Sequence, residues 1–284
     1  MSNLAKRTLV AVIFIPILLY LYYIGGGILF GFLAILTGLC AFELIRMFYK
    51  GSYVLLGINI LFAVLFFGFV VNITKSWELG VGSLEFNSQL PTPNSQLGEG
   101  GGSFILFLAI IINGIWAVFT NKIEGSFSRI AGSLFAIIYP ALGFALLYRL
   151  QDFHFSLIPA LAILVWICDS AAYFIGLKFG RHRGVFLCSP QKSIEGFIAG
   201  FIAVAIFSNV LMYLFPDFYS FKEILFLSIS VGIFGQYGDL FESVLKRDMK
   251  IKDSSRILPG HGGVLDRFDS LIIAAPVMYF LVSL

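Results

Sequence analysis

The run SVLKRDMKIKDSSRILPGHGGVLDRFDS, from Ser243 to Ser270, sets Lys246, Arg247, Lys250, Lys252 and Arg256, a Pro-Gly-His-Gly-Gly turn and two carboxylates between strongly apolar segments. Basic side chains at this density suit phosphate oxygens. Asp266 and Asp269, three residues apart at the head of an apolar run, share one helical face and suit a hard divalent cation. Gly260, Gly262 and Gly263 allow backbone N–H groups to turn toward an anion, and His261 between them can bind or orient it. Together these types point to phosphoryl chemistry, which needs charge neutralised on both the attacking and the leaving oxygens.

Three further groups extend the pattern. Asp169 lies inside an apolar stretch with Ser170 beside it and Tyr173 one turn on. A carboxylate at such depth costs roughly 2.5–3.5 kcal/mol to insert, so it calls for a partner or a wet cavity. A protonated Asp169 bonding to a neighbouring helix is the plain alternative. Gln236, Asp239, Glu242, Ser243 and Lys246 recur every three or four residues and form one polar stripe, although Glu242 and Lys246 alone would make an ordinary helix-end pair. In the segment Cys188–Gly196, Ser189, Lys192, Ser193 and Glu195 read either as a helix N-cap with an acidic first turn or as a phosphate site on the same amides. His154 and His182 stay outside the site; the Arg181-His182-Arg183 stretch suits anionic lipid headgroups. Glu43, one turn before Arg46, reads as a helix-end ion pair.

The elements that must position these groups are membrane helices. The chain has 284 residues, 59% of them hydrophobic and 12% charged, with a mean hydropathy of +0.94. Apolar runs at 8–24, 28–48, 53–73, 104–120, 130–150, 156–177, 194–215, 223–243 and 264–284 match the roughly 20 residues that a hydrocarbon core requires. An all-α polytopic membrane protein of about nine spans follows. The first run follows Lys6 and Arg7 without a small-x-small cleavage site before Gly25–Gly27, so it is expected to stay as a helix. With nine spans, sixteen of the nineteen lysines and arginines fall on the N-terminal side of the membrane, which predicts a cytoplasmic N-terminus and an external C-terminus.

The expected organisation is 1–73 as three helices, 74–103 as a flexible extracytoplasmic loop, and 104–284 as six helices with the catalytic part in 155–284. The loop expectation rests on Gly, Ser, Asn and Pro, a repeated Asn-Ser-Gln-Leu and a terminal Gly-Gly-Gly-Ser. Cys40, Cys168 and Cys188 are scattered and form no metal-binding spacing. Basic residues tied to the membrane and balanced by carboxylates argue against nucleic acid as a partner. Glycine and alanine in 130–150 and 194–215 permit close helix packing, within one chain or in a homodimer.

The C-terminal run resembles the signature of the phosphatidate cytidylyltransferases, or CDP-diacylglycerol synthases. Ser243, Lys246, Arg247, Lys252, Asp253, Ser255, Leu258, Pro259, His261, Gly262, Gly263, Val264, Asp266, Arg267, Phe268 and Asp269 meet every fixed position of that pattern. The segments 169–173, 189–196 and 238–243 are similar to further family segments in the same order, so the resemblance covers about 160 to the C-terminus. It implies transfer of a cytidylyl group from CTP to phosphatidic acid with release of pyrophosphate, dependent on Mg²⁺, in a polar cavity open to the cytoplasm. On that reading Asp169, Asp239, Asp266 and Asp269 are expected on the metal side, with a second metal ion accommodated. Lys192, Lys246, Arg247, Lys252 and Arg267 are expected on the phosphates. Ser189, Ser193, Glu195, His261, Gly262 and Gly263 are expected to bind substrate.

Two other acceptors, an ether-linked lipid or a polyprenyl phosphate, fit the same motif. A transporter is the reading from another class, since Asp169 and Asp239 could line a path. It lacks an inverted repeat, and the polar residues gather toward one face. The motif of the CDP-alcohol phosphotransferases is absent.

Overall fold

The computed structural model describes residues 16–48, 52–81, 94–120, 124–258 and 262–284. All regular structure among them is helical. After a first helix described over 16–24 (α1) come α2 (Gly26–Phe48), α3 (Tyr53–Val81), α4 (Asn94–Phe119) and α5 (Ser126–Arg149), with a short 3₁₀ turn at Leu150–Asp152. Then follow α6 (Leu157–Phe179), α7 (Ile194–Leu214), α8 (Phe221–Ile229), a π-helical turn (Ser230–Gly235), α9 (Gln236–Asp248) and α10 (Leu265–Val282). The chain divides into two compact units, one of Gly31–Arg149 and one of Leu150–Leu284 with the chain up to Phe30.

Seven helices among the described residues are long and apolar enough to cross a membrane: Gly26–Phe48, Tyr53–Ile73, Gly101–Phe119, Ser126–Asp152, Leu157–Phe179, Ile194–Leu214 and Phe221–Asp248. The first expected span lies partly outside the described residues. α10 begins with Asp266, Arg267 and Asp269, and this charge lowers its apolar character. α3 runs to Val81 and α4 starts at Asn94. Within the Gly31–Arg149 unit, α4 and α5 pack with α3.

In the Gly31–Arg149 unit, buried Asn59 and Asn113 bond to each other reciprocally across α3 and α4, at 2.8 and 3.3 Å. Each amide also donates to its own helix, to Leu55 O and Ala109 O, so neither leaves a polar group bare. Glu43 is fully buried in α2.

In the other unit, α6 and α7 meet backbone to backbone. A Cβ at Gly196 would lie 2.7 Å from Ala172 O and 3.2 Å from Gly176 Cα, so only glycine permits the crossing. The expected continuous helix 223–243 is broken by the π turn at Ser230–Gly235. A π turn inserts a residue and rotates everything after it, which sets the face on which the stripe from Gln236 to Lys246 falls. Gln236 takes up the loosened backbone: its Nε2 donates to Gly232 O at 2.6 Å and to Phe197 O of α7 at 3.0 Å. Two glycines of α7 pack inside the chain, Gly196 against α6 and Gly200 against Cys168 and Gln236.

Candidate active site

The C-terminal end of α6, the N-terminal end of α7, the loop between them and the start of α9 enclose a cavity of about 660 Å³. Asp169, Tyr173 and Leu177 come from α6, Ser189, Gln191, Lys192 and Ser193 from the loop, and Gln236 and Asp239 from the region just after the π turn. The volume suits a small-molecule ligand, and the lining combines carboxylates, hydroxyls and an ammonium with Phe186, Phe197, Leu177 and Tyr173.

Lys192 forms an ion pair with Asp239, joining the loop to α9 across the cavity wall. Both side chains keep about a third of their surface open, 35% and 30%, so each can also meet a ligand. Asp169 is exposed toward the cavity, and its charge interacts with those of Asp239, Lys192 and Arg267. Asp269 on α10 senses Asp239, Glu242 and Asp169, while one of its oxygens accepts from Ser270 N at 2.7 Å. Three helices thus bring Asp169, Asp239 and Asp269 within electrostatic reach of one another, an arrangement that favours a cation.

Ser193 is buried and caps α7: its Oγ accepts from Gly196 N at 3.1 Å. It also lines the cavity, so the two sequence readings of this serine are compatible. Glu195 does not line the cavity. Its carboxylate accepts from His182 N at 3.1 and 3.2 Å and lies 2.5 Å from His182 Nδ1, closing the loop onto the first turn of α7. The same loop is held at its other end by Arg183, whose guanidinium donates to Gly176 O, Leu177 O and Gly180 O at the end of α6. Arg183 and Gln191 are cavity-lining groups that the motif reading passed over. Arg183 sits in a stretch whose charge suggested headgroups alone.

The remaining motif residues form a second cluster beside the cavity. Lys246 donates to Glu242 at 2.6 Å and to Asp266 at 2.7 Å. Asp266 also accepts from Ser254 N, Ser254 Oγ and Gly263 N, the last at 2.7 Å, so its two oxygens gather the loop that precedes α10. Gly262 makes this closure possible. Its φ of +82° is one that side-chain-bearing residues rarely adopt, and a Cβ there would lie 2.7 Å from Asp266 Oδ2. Lys246 and Asp266, read from sequence as phosphate and metal ligands, are therefore engaged with each other and do not line the cavity. Arg247 donates to Cys188 O at 3.1 Å and to Ile251 O at 3.0 Å, stapling the loop of Ser189 and Lys192 to the end of α9. Lys252 is exposed on the loop after α9, and His261 lies outside the described residues.

Among the described residues, no three carboxylate, histidine or cysteine side chains stand close enough to hold a metal by themselves. The donor set nevertheless fits Mg²⁺, which takes one or two carboxylates and completes its shell with water and substrate phosphates. Asp169 and Asp239, both open to the cavity, meet that requirement.

Comparison with known proteins gives the chain's family. The model of the cytidylyltransferase family matches residues 5–284. A phosphatidate cytidylyltransferase of Staphylococcus haemolyticus is 33% identical over 276 residues, which are 97% of each chain. One from Staphylococcus saprophyticus is 42% identical over 164 residues, 57% of this chain and 62% of that protein. One from Thermotoga maritima is 39% identical over 183 residues, 61% of this chain and 67% of that protein. With the family match running through both units and over all the cavity-lining residues, the chain belongs to the cytidylyltransferase family.

Proposed function

We propose that this protein transfers a cytidylyl group from CTP to phosphatidic acid, giving CDP-diacylglycerol and pyrophosphate. The observation that carries the reading is the Lys192–Asp239 pair across a cavity that also holds Asp169, Ser189 and Ser193. A phosphate oxygen of the lipid attacks the α-phosphorus of CTP, and the bond from that phosphorus to the bridging oxygen of the β-phosphate breaks, so pyrophosphate leaves. A phosphate monoester is largely ionised near neutral pH, so the attack needs no general base. The engagement of Asp239 with Lys192 is compatible with that economy.

Lys192 supplies positive charge to the phosphates, and the hydroxyls of Ser189 and Ser193 and the amides at the start of α7 orient their oxygens. Asp169 and Asp239 would hold Mg²⁺, which when bound neutralises phosphate charge and makes the phosphorus more electrophilic. Asp269, within electrostatic reach of both, extends the acidic wall and suits a second metal ion. Arg267 moderates Asp169 from α10. Asp266, Lys246 and Arg247 serve by fixing the loops that carry these groups.

The proposal includes nine spans in the bacterial cytoplasmic membrane, with the N-terminus and the cavity on the cytoplasmic side and the C-terminus outside. The one-sided distribution of basic residues supports it. So does the substrate pair, since CTP comes from the cytoplasm and the lipid phosphate stays at the headgroup level.

The test is product identification by mass spectrometry after incubating detergent-solubilised protein with CTP, Mg²⁺ and an acceptor. Ester-linked phosphatidate, an ether-linked analogue and a polyprenyl phosphate are compared, with ATP and GTP as alternative donors. CDP-diacylglycerol formed only from CTP and phosphatidate is the expected result. Preference for another acceptor would move the substrate assignment, and solute flux without nucleotide turnover would overturn the enzyme reading.

A further inference from the structure

Lys178, Arg181 and His182 precede a loop tip that is apolar where a loop in water would be polar. Val185 keeps 55% of its surface exposed and Leu187 keeps 88%. Leu177 and Phe179, at the end of α6 just before the loop, are exposed as well. The residue between the two tip side chains points the other way: Phe186 lines the cavity and stacks obliquely on Phe197, with ring centroids 6.0 Å apart.

This tip is built rather than left slack. Gly184 N donates to Pro190 O at 3.1 Å, and Ser189 N donates to Phe186 O at 3.0 Å, closing the chain into a compact turn. Arg183 is tied to α6, the Glu195 carboxylate holds His182, and Arg247 holds Cys188 O from α9. A loop pinned on three sides yet presenting Val185 and Leu187 outward exposes them for contact.

We propose that Val185 and Leu187 form a membrane-seated finger, with a lipid surface as its partner. Two features select lipid over a protein partner. The loop follows without a break from Phe179 of a membrane-spanning helix, so it lies where that helix reaches the interface. The flanking Lys178, Arg181 and His182 supply cationic and amphipathic side chains at the level of anionic headgroups. The finger then seats the apolar side chains roughly 5–10 Å into the headgroup and acyl boundary, as interfacial segments do. Because Phe186, Ser189 and Lys192 belong to the same loop, the finger sets the height of the cavity wall relative to the lipid phosphates. That last step rests on the proposed phosphatidate reaction; the membrane contact does not.

The experiment places an environment-sensitive fluorophore on Leu187→Cys in full-length protein whose Cys40, Cys168 and Cys188 are replaced by alanine. The protein is reconstituted in phosphatidylglycerol and phosphatidylethanolamine vesicles. The expected result is blue-shifted emission, quenched by lipids carrying a nitroxide high on the acyl chain and shielded from aqueous iodide. Emission as in water with full iodide quenching would overturn the finger. The functional consequence is read separately with Val185→Asp and Leu187→Asp. A raised KM for long-chain phosphatidate in vesicles, with unchanged turnover of a short-chain, water-soluble phosphatidate, supports the coupling. Equal loss on both substrates would overturn the coupling. Absence of any turnover by the wild-type protein would count against the proposed reaction and leave the fluorescence result standing.

Discussion

Lys246 of α9 bridges two carboxylates, Glu242 at 2.6 Å on its own helix and Asp266 at 2.7 Å on α10. Glu242 is fully buried and Lys246 nearly so, and Asp266 in turn collects Ser254 and Gly263. This triad joins α9, α10 and the glycine-rich loop at one point.

Removing the ammonium strands a buried carboxylate. Lys246→Met is expected to destabilise the protein by about 3–5 kcal/mol, the usual scale for breaking a buried ion pair from one side. Adding Glu242→Gln should return part of that loss. Thermal unfolding of the purified variants in detergent checks both expectations; equal stability of Lys246→Met and wild type would refute the structural role of the triad.

Gln236 fastens the π turn to α7 through Gly232 O and Phe197 O. Gln236→Leu removes both side-chain hydrogen bonds that tie the π turn down, at a cost of about 1–3 kcal/mol. The same variant should lower turnover, since Asp239 lies one helical turn further on. Denaturation and steady-state kinetics on one preparation measure both effects.

At the α6–α7 crossing, Gly196→Ala would push a methyl group against Ala172 O. Separation of the two helices is expected to cost about 1–3 kcal/mol and to widen the cavity. A lowered unfolding temperature together with a raised KM for CTP is the outcome to look for.

Much of this was legible in the residues. Helices α6 and α7 begin and end within a few positions of their apolar runs, because an apolar stretch of spanning length admits little besides a helix. The spacing of Gln236, Asp239, Glu242 and Lys246 also gave the polar stripe correctly. Spacing could not give the π turn, which changes which of those residues face the cavity, because a single inserted residue leaves no compositional trace. Asp266 and Lys246 read as ligands from their spacing and the glycine-rich loop, and the folded chain shows in addition that they pair with each other. That pair spans twenty residues, so it becomes visible only when the loop closes. Ser193 was open to two readings for the same reason, since capping a helix and lining a cavity require the same side chain.

Lys192 and Asp239 should act as a unit. Lys192→Met is expected to reduce kcat by about 10²–10³, the scale for losing one preorganised charge at a developing anion. Combining it with Asp239→Asn should cost much less than the product of the two single effects. A double-mutant cycle in kcat/KM for CTP measures this, and strict additivity would separate the two residues functionally.

The proposed reaction places the nucleotide in the cavity between α6, α7 and α9. Pyrophosphate release by full-length Asp239→Asn, with CTP, phosphatidate and saturating Mg²⁺, tests it most directly when thermal unfolding confirms that the variant is folded. The expected result is a fall of about 10²-fold or more at an unfolding temperature close to wild type. Near wild-type turnover by the folded variant would contradict it.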